Sequence, residues 1–152
     1  MIIFTLSQFI FISSSSVYKY AENRKLKEGM SLEPLHPYGL GKLTSEHYCR
    51  LFNNLYGLNT IILRYFSVYG PRQKGDIDSA GVISKFIIKA LNSQDLTIYG
   101  DGNQMRNFTF VKDVAEMTLQ AATVSHGFPI INIANDTEFS VNQVAREIVE
   151  LT

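Results

Sequence analysis

The run NTIILRYF, residues 59–66, is apolar and rich in β-branched side chains, with no alternation of polar and apolar positions. A strand with one wet face alternates, so a continuous run of this length predicts a strand covered on both faces. Such strands lie inside parallel sheets. A parallel partner can be reached only through a crossover long enough to hold a helix, so segments of helical period must flank the run.

The chain meets that requirement. FIFIS predicts a buried strand over residues 8–13, followed by a polar, charged segment, 19–33, that reads as a surface loop. From 38 to 56, Tyr48, Leu51, Phe52 and Leu55 fall at i, i+3, i+4 and i+7, which predicts a helix burying that stripe, with Pro37 before it and Gly57 as its stop. YGPRQKG closes the second strand with turn residues. Beyond it the pattern predicts a helix over 80–91, a short strand LTIY, a tight GDGN turn, a helix over 113–124 and a strand PIINIA. Ser140 and Gln143 form a capping-box pattern at the start of a last helix carried by Val141, Val144, Ala145 and Ile148. The alternation is that of an α/β fold with a mostly parallel sheet.

With 152 residues, 45% hydrophobic and 18% charged, the chain is sized and composed as a globular domain. Fourteen basic residues balance fourteen acidic ones, so no global field points to nucleic acid or to a membrane surface as a partner. A single cysteine, Cys49, excludes an internal disulfide, and the spacing of His36, His47, Cys49 and His126 matches no common zinc pattern, so no metal is expected. The opening MIIFTLSQFIFI lacks a basic segment and is too short to span a bilayer, which makes a cytoplasmic location the expectation.

The chemistry concentrates in two places. SSSSVY follows the first strand, and PYGLGK sets Tyr38 and Lys42 four residues apart at a helix start, on one face and about a turn apart. A free phenol, with a pKa of about 10, is a poor base at neutral pH, and a neighbouring cation favours the phenolate. Taken alone, Tyr and Lys at this spacing also occur on ordinary helices.

The order SSSSVY, P-x-x-P-Y-x-x-x-K, RYFSVYGPRQ, LTIYGDGNQMRNFTFVKDV and INIANDTEFSVNQVA resembles the extended short-chain dehydrogenase/reductase family, specifically its NAD-dependent nucleotide-sugar epimerases and dehydratases. The resemblance implies NAD as cofactor and a nucleotide sugar, of UDP-hexose type, as substrate. It implies that Ser14 hydrogen-bonds the sugar oxygen that loses its proton, that Tyr38 takes the proton, and that Lys42 holds the nicotinamide ribose and lowers the tyrosine pKa. Phe66 is implied on the cofactor side, Ser15, Ser16 and Ser67 on the sugar side, and Arg106 at the diphosphate, where a guanidinium fork suits phosphate oxygens. Dehydratases of the family resemble T-D-E where this chain has Ser14, Ser15 and Ser16, and its decarboxylases carry a Glu there. Two side chains that cannot ionise favour 4-epimerisation, with hydride removed from and returned to sugar C4.

No glycine-rich dinucleotide fingerprint is present. By the resemblance, on the order of 100 residues of cofactor-binding sheet would lie upstream. The expected architecture is therefore the C-terminal part of a Rossmann-type doubly wound parallel sheet with the Ser/Tyr/Lys segment, residues 1–79, and part of the small substrate-binding domain, residues 80–152. The full-length form is expected to be a homodimer, and this segment alone is expected to be inactive. A non-catalytic remnant or sugar-nucleotide binding module, and a dehydratase or reductase, stand as alternatives.

Overall fold

The computed structural model describes residues 6–19, 25–75, 80–124 and 127–152. They build two compact units: Met1–Phe66 with Ala115–Ile133, and Ser67–Val114 with Ala134–Thr152. The units interleave along the chain, because the last strand of the first sheet comes from its C-terminal third, and they do not divide at 79/80.

The first unit is organised by three parallel strands, β1 (Phe9–Ser14), β2 (Thr60–Tyr65) and β6 (Ile130–Ile133), in the order β1-β2-β6. β2 is central, and Thr60 through Arg64 are all buried, as the unbroken apolar run predicts. Removing Ile61, Ile62 and Leu63 from water contributes about 1.5–3 kcal/mol each. β1 pairs with β2 along its whole length, with Ser13 opposite Arg64 and Ser14 opposite Tyr65.

The crossover between β1 and β2 carries α1 (Pro37–Tyr56). Pro37 fits the first turn, where its missing N–H is not needed, and Gly57 ends the helix at φ 66°, its N–H returning to Asn53 O at 2.9 Å. The predicted buried stripe is wrong. Tyr48, Leu51, Phe52 and Leu55 are 46–62% exposed, and α1 buries Gly39, Glu46 and Cys49 instead. The reason is polar: Glu46 reaches charged and hydroxyl partners on the strands, and that anchor rotates the apolar stripe outward.

The second unit centres on α2 (Val82–Leu91) against α4 (Val141–Leu151), where Phe86, Val141, Ala145 and Ile148 form the core. The capping box at α4 is complete, with Ser140 Oγ accepting from Gln143 N–H and Gln143 Oε1 from Ser140 N–H. LTIY forms no strand. Its Leu96 and Ile98 pack onto the α2–α4 core, so alternate side chains are partly buried without a ladder. Two short ladders lie outside the predicted pattern: β3 (Val68–Tyr69) parallel to β5 (Thr109–Phe110), and β4 (Met105–Asn107) antiparallel to β7 (Glu138–Ser140). α3 (Val111–Ala121) completes the elements. No helix among the described residues is long and apolar enough to cross a membrane.

Candidate active site

Parallel sheets bind ligands beyond the carboxyl ends of their strands, where the chain turns away and leaves backbone and side chains available. β1 ends at Ser14, one residue later than predicted, and Ser15–Val17 follow as a single 3-10 turn. Ser14 caps that turn. Its Oγ accepts from Ser16 N–H at 3.2 Å and donates to Ser16 Oγ at 3.1 Å, which leaves lone-pair capacity on a half-buried hydroxyl. Ser15 and Ser16 are half-buried within the turn.

The first turn of α1 lies against these serines, since a Cβ on Gly39 would collide with the Ser16 carbonyl oxygen. Tyr38, beside that glycine, is 61% exposed. Lys42 follows one turn later. Its Nζ donates to the Ile12 carbonyl at 2.8 Å and lies 5.7 Å from the centre of the Tyr38 ring and 5.2 Å from that of Phe11. The strand end bearing Ser14 and the helix start bearing Tyr38 and Lys42 are thus brought together within the first unit.

Beneath them lies a polar network the sequence reading missed. Glu46 Oε1 accepts from Ser13 Oγ at 2.5 Å and from Arg64 Nε at 3.0 Å, and Oε2 accepts from an Arg64 terminal nitrogen at 2.6 Å. The other terminal nitrogen of Arg64 donates to Tyr18 Oη at 2.8 Å, and Tyr18 Oη donates to Asn132 Oδ1 at 2.6 Å. Ser13, Tyr18, Glu46 and Arg64 are all buried. Burial works against the Arg64 cation, but hydrogen bonds and charge from Glu46 and Tyr18 together hold its pKa above the ordinary arginine value. Burial pushes the Tyr18 phenol up, against the lowering effect of Arg64. Burial also pushes the Cys49 thiol up, and the Glu46 carboxylate adds to it. A signal for the network was present: an arginine inside an otherwise apolar strand must find a buried acceptor.

Phe66 follows β2, half-buried, with its ring 6.3 Å from that of Tyr18 and its N–H on Ile133 O at 3.1 Å. In the second unit Ser67 and Arg106 both line a cavity of about 370 Å³, with Tyr99, Gln104 and Phe108 among its walls. Arg106 sits in β4 opposite Phe139 of β7, and one of its terminal nitrogens donates to Met105 O at 3.1 Å. Among the described residues no group of three or more His, Cys, Asp or Glu could hold a metal ion; His126 lies outside them.

Residues 3–134 match the model of the NAD dependent epimerase/dehydratase family. A Methanocaldococcus jannaschii protein assigned as a UDP-glucose 4-epimerase is 43% identical over 144 residues, which cover 93% of this chain and 46% of the relative. A UDP-N-acetyl-alpha-D-glucosaminuronate decarboxylase of Bacillus cytotoxicus is 40% identical over 148 residues, covering 94% of this chain and 46% of the relative. The solved UDP-N-acetylglucosamine 4-epimerase of Methanobrevibacter ruminantium M1, in complex with UDP-N-acetylmuramic acid, superposes with a TM-score of 0.90 at 38% identity, over 95% of this chain and 46% of that one. The chain spans about half the length of the curated relatives it matches. On the match to the family model and these identities, the chain belongs to the NAD-dependent epimerase/dehydratase family.

Proposed function

We propose that this chain is the catalytic segment of an NAD-dependent 4-epimerase acting on UDP-hexoses. The observation that carries the reading is the placement of the Lys42 ammonium, fixed on the Ile12 carbonyl and 5.7 Å from the Tyr38 ring centre, beside the strand end that presents Ser14. In this reading Tyr38 accepts and returns the proton of the sugar hydroxyl, Ser14 Oγ hydrogen-bonds the same oxygen, and Lys42 supplies positive charge beside the phenol. Ser15 and Ser16 line the sugar side with groups that neither donate nor accept a full proton at neutral pH. That chemistry suits epimerisation, which needs no acid–base pair beyond Tyr38. The 40% identity to a UDP-sugar decarboxylase introduces decarboxylation as a second reading, against which stands the lack of a carboxyl at Ser15 and Ser16, where the decarboxylases of the family carry a Glu.

The residues present fit one end of NAD. The Lys42 ammonium and the exposed Tyr38 hydroxyl are donors suited to ribose hydroxyls, and Phe66, just past the end of β2, is an apolar group at the carboxyl end of the same sheet. When bound, NAD supplies reversible oxidation at the sugar carbon. In the second unit, Arg106 holds the diphosphate of the substrate and Ser67 adds a hydroxyl to the same cavity wall. The exposed stripe Tyr48, Leu51, Phe52 and Leu55 on α1 is proposed as a homodimer surface, since it is apolar over two turns and faces away from β1 and β2.

The test is a chimaera in which residues 6–152 replace the matching segment of the Methanobrevibacter ruminantium epimerase, supplied with NAD and UDP-glucose. Formation of the C4 epimer by NMR supports the reading. In a second reaction supplied with UDP-glucuronate in place of UDP-glucose, loss of carbon dioxide without C4 exchange would select decarboxylation.

A further inference from the structure

Glu46 stands four residues after Lys42, on the same face of α1 and within ordinary reach of its ammonium. A lysine and a glutamate so placed commonly pair. Here they do not: the Lys42 ammonium is on the Ile12 carbonyl, and the Glu46 carboxylate is held by Arg64 on both oxygens and by Ser13 on one. The partners are arranged for this. Ser13 and Arg64 face each other across the β1–β2 ladder, so two neighbouring strands offer hydroxyl and guanidinium to one carboxylate. Ser13 also stands between Ile12 and Ser14, so the anchor of Glu46 and the anchor of Lys42 fall on adjacent residues of β1.

A buried ion pair is a weak source of stability, because desolvating two charges offsets most of their attraction, and well-packed apolar residues often serve as well. Its place beside Lys42 points to a role other than stability. We infer that Arg64 and Glu46 are positioning residues for Lys42: the fork of Arg64 occupies the Glu46 carboxylate and thereby leaves the Lys42 ammonium to the strand end, next to Tyr38. Without Arg64 the buried carboxylate has one hydroxyl donor left, and two cations stand at helical spacing from it on α1, Lys42 four residues before and Arg50 four residues after; Arg50 lies over the Phe128 ring, 5.4 Å from its centre, which leaves Lys42 to take the place of Arg64. The ammonium then leaves Ile12 and turns down the helix, away from the first turn.

The inference deepens the reading of Lys42 given above. Its test reads one hydrogen bond in these 152 residues, so it succeeds or fails whether or not the chain turns over a sugar nucleotide. NMR correlations across the hydrogen bond from Lys42 Nζ identify the acceptor carbon. The expected result is a correlation to the Ile12 carbonyl in the native chain, its loss in Arg64→Met with a new correlation to Glu46 Cδ, and its return in Arg64→Met/Glu46→Gln. A role in packing alone would loosen Lys42 in the single variant and would not restore it in the double one. Arg64→Gln, which keeps a polar side chain at the position, is expected to give the same transfer. Glu46→Gln alone keeps the shape of the network and is expected to leave Lys42 on Ile12. Retention of the Ile12 correlation in either Arg64 variant, or its loss in Glu46→Gln, overturns the inference.

Discussion

Gly39 brings the backbone of the helix bearing Tyr38 against the backbone of Ser16 in the serine turn: a Cβ there would strike the Ser16 carbonyl oxygen and sit 3.0 Å from Pro34 Cβ. Two opposed terms then decide the effect of Gly39→Ala. Alanine favours a helix interior by about 1 kcal/mol over glycine, and overpacking against backbone costs about 1–3 kcal/mol. The expected outcome is net destabilisation by denaturant unfolding. Two residues on, Gly41 has nothing within 4 Å of its Cβ position, so Gly41→Ala is expected to stabilise by about 0.5–1 kcal/mol. Equal effects of the two substitutions would contradict the close approach.

Arg106→Ala is expected to weaken UDP binding by about 1.5–3 kcal/mol, the range for a hydrogen bond to a charged group. Calorimetry with UDP reads this directly. Arg106 bonds Met105 O and still lines the cavity, and unchanged affinity would contradict its assignment to the diphosphate.

Both Tyr18 and Cys49 hold their protons more tightly in the folded chain than in the unfolded one, with burial the first cause in each. For a raised folded value the associated stability is fully present below the unfolded pKa and is lost as pH rises through the folded one. Stability should therefore fall on the alkaline side, above about pH 9. Cys49 should react with a thiol reagent at least about tenfold more slowly in the native chain than in denaturant at the same pH. Equal rates would contradict the burial of Cys49 beside Glu46.

NAD should show no micromolar affinity for these 152 residues. Backbone N–H groups of a glycine-rich turn at a helix N-terminus hold a dinucleotide pyrophosphate, and the sequence contains no such turn. In the proposed reading, Lys42 and Tyr38 would serve the nicotinamide ribose and not the pyrophosphate. Saturable micromolar binding by calorimetry would show that another segment supplies the phosphate site.

Much of this fold could be read locally. The unbroken run at β2, the strand leading into the serines, the proline and glycine bounding α1, and the capping box of α4 are each set by a few adjacent residues, and each appears where the pattern placed it. The face of α1 did not. Its hydrophobic period points Tyr48, Leu51, Phe52 and Leu55 together, but which side meets the sheet is decided by Glu46, whose partners Ser13 and Arg64 are 33 and 18 residues away. The ladders β3–β5 and β4–β7 are two and three residues long and join segments about 30–40 residues apart, too short to leave a period. The Ser14, Tyr38 and Lys42 positions came from motif order rather than from spacing alone. Their structural setting, above all the anchor on Ile12, was beyond reach of pattern because a backbone carbonyl has no sequence signature.

The most direct measurement is the C4 exchange rate of UDP-glucose in the chimaera described above, compared between the native segment and Tyr38→Phe. The substitution removes one hydroxyl from an exposed ring and is expected to leave the rest of α1 in place. The expected result is C4 epimer formation by the native segment and its loss in Tyr38→Phe by at least about a hundredfold, the scale of a general acid–base contribution, with the folded fraction unchanged. Turnover in Tyr38→Phe at the native rate would contradict the assignment of Tyr38 as the proton acceptor.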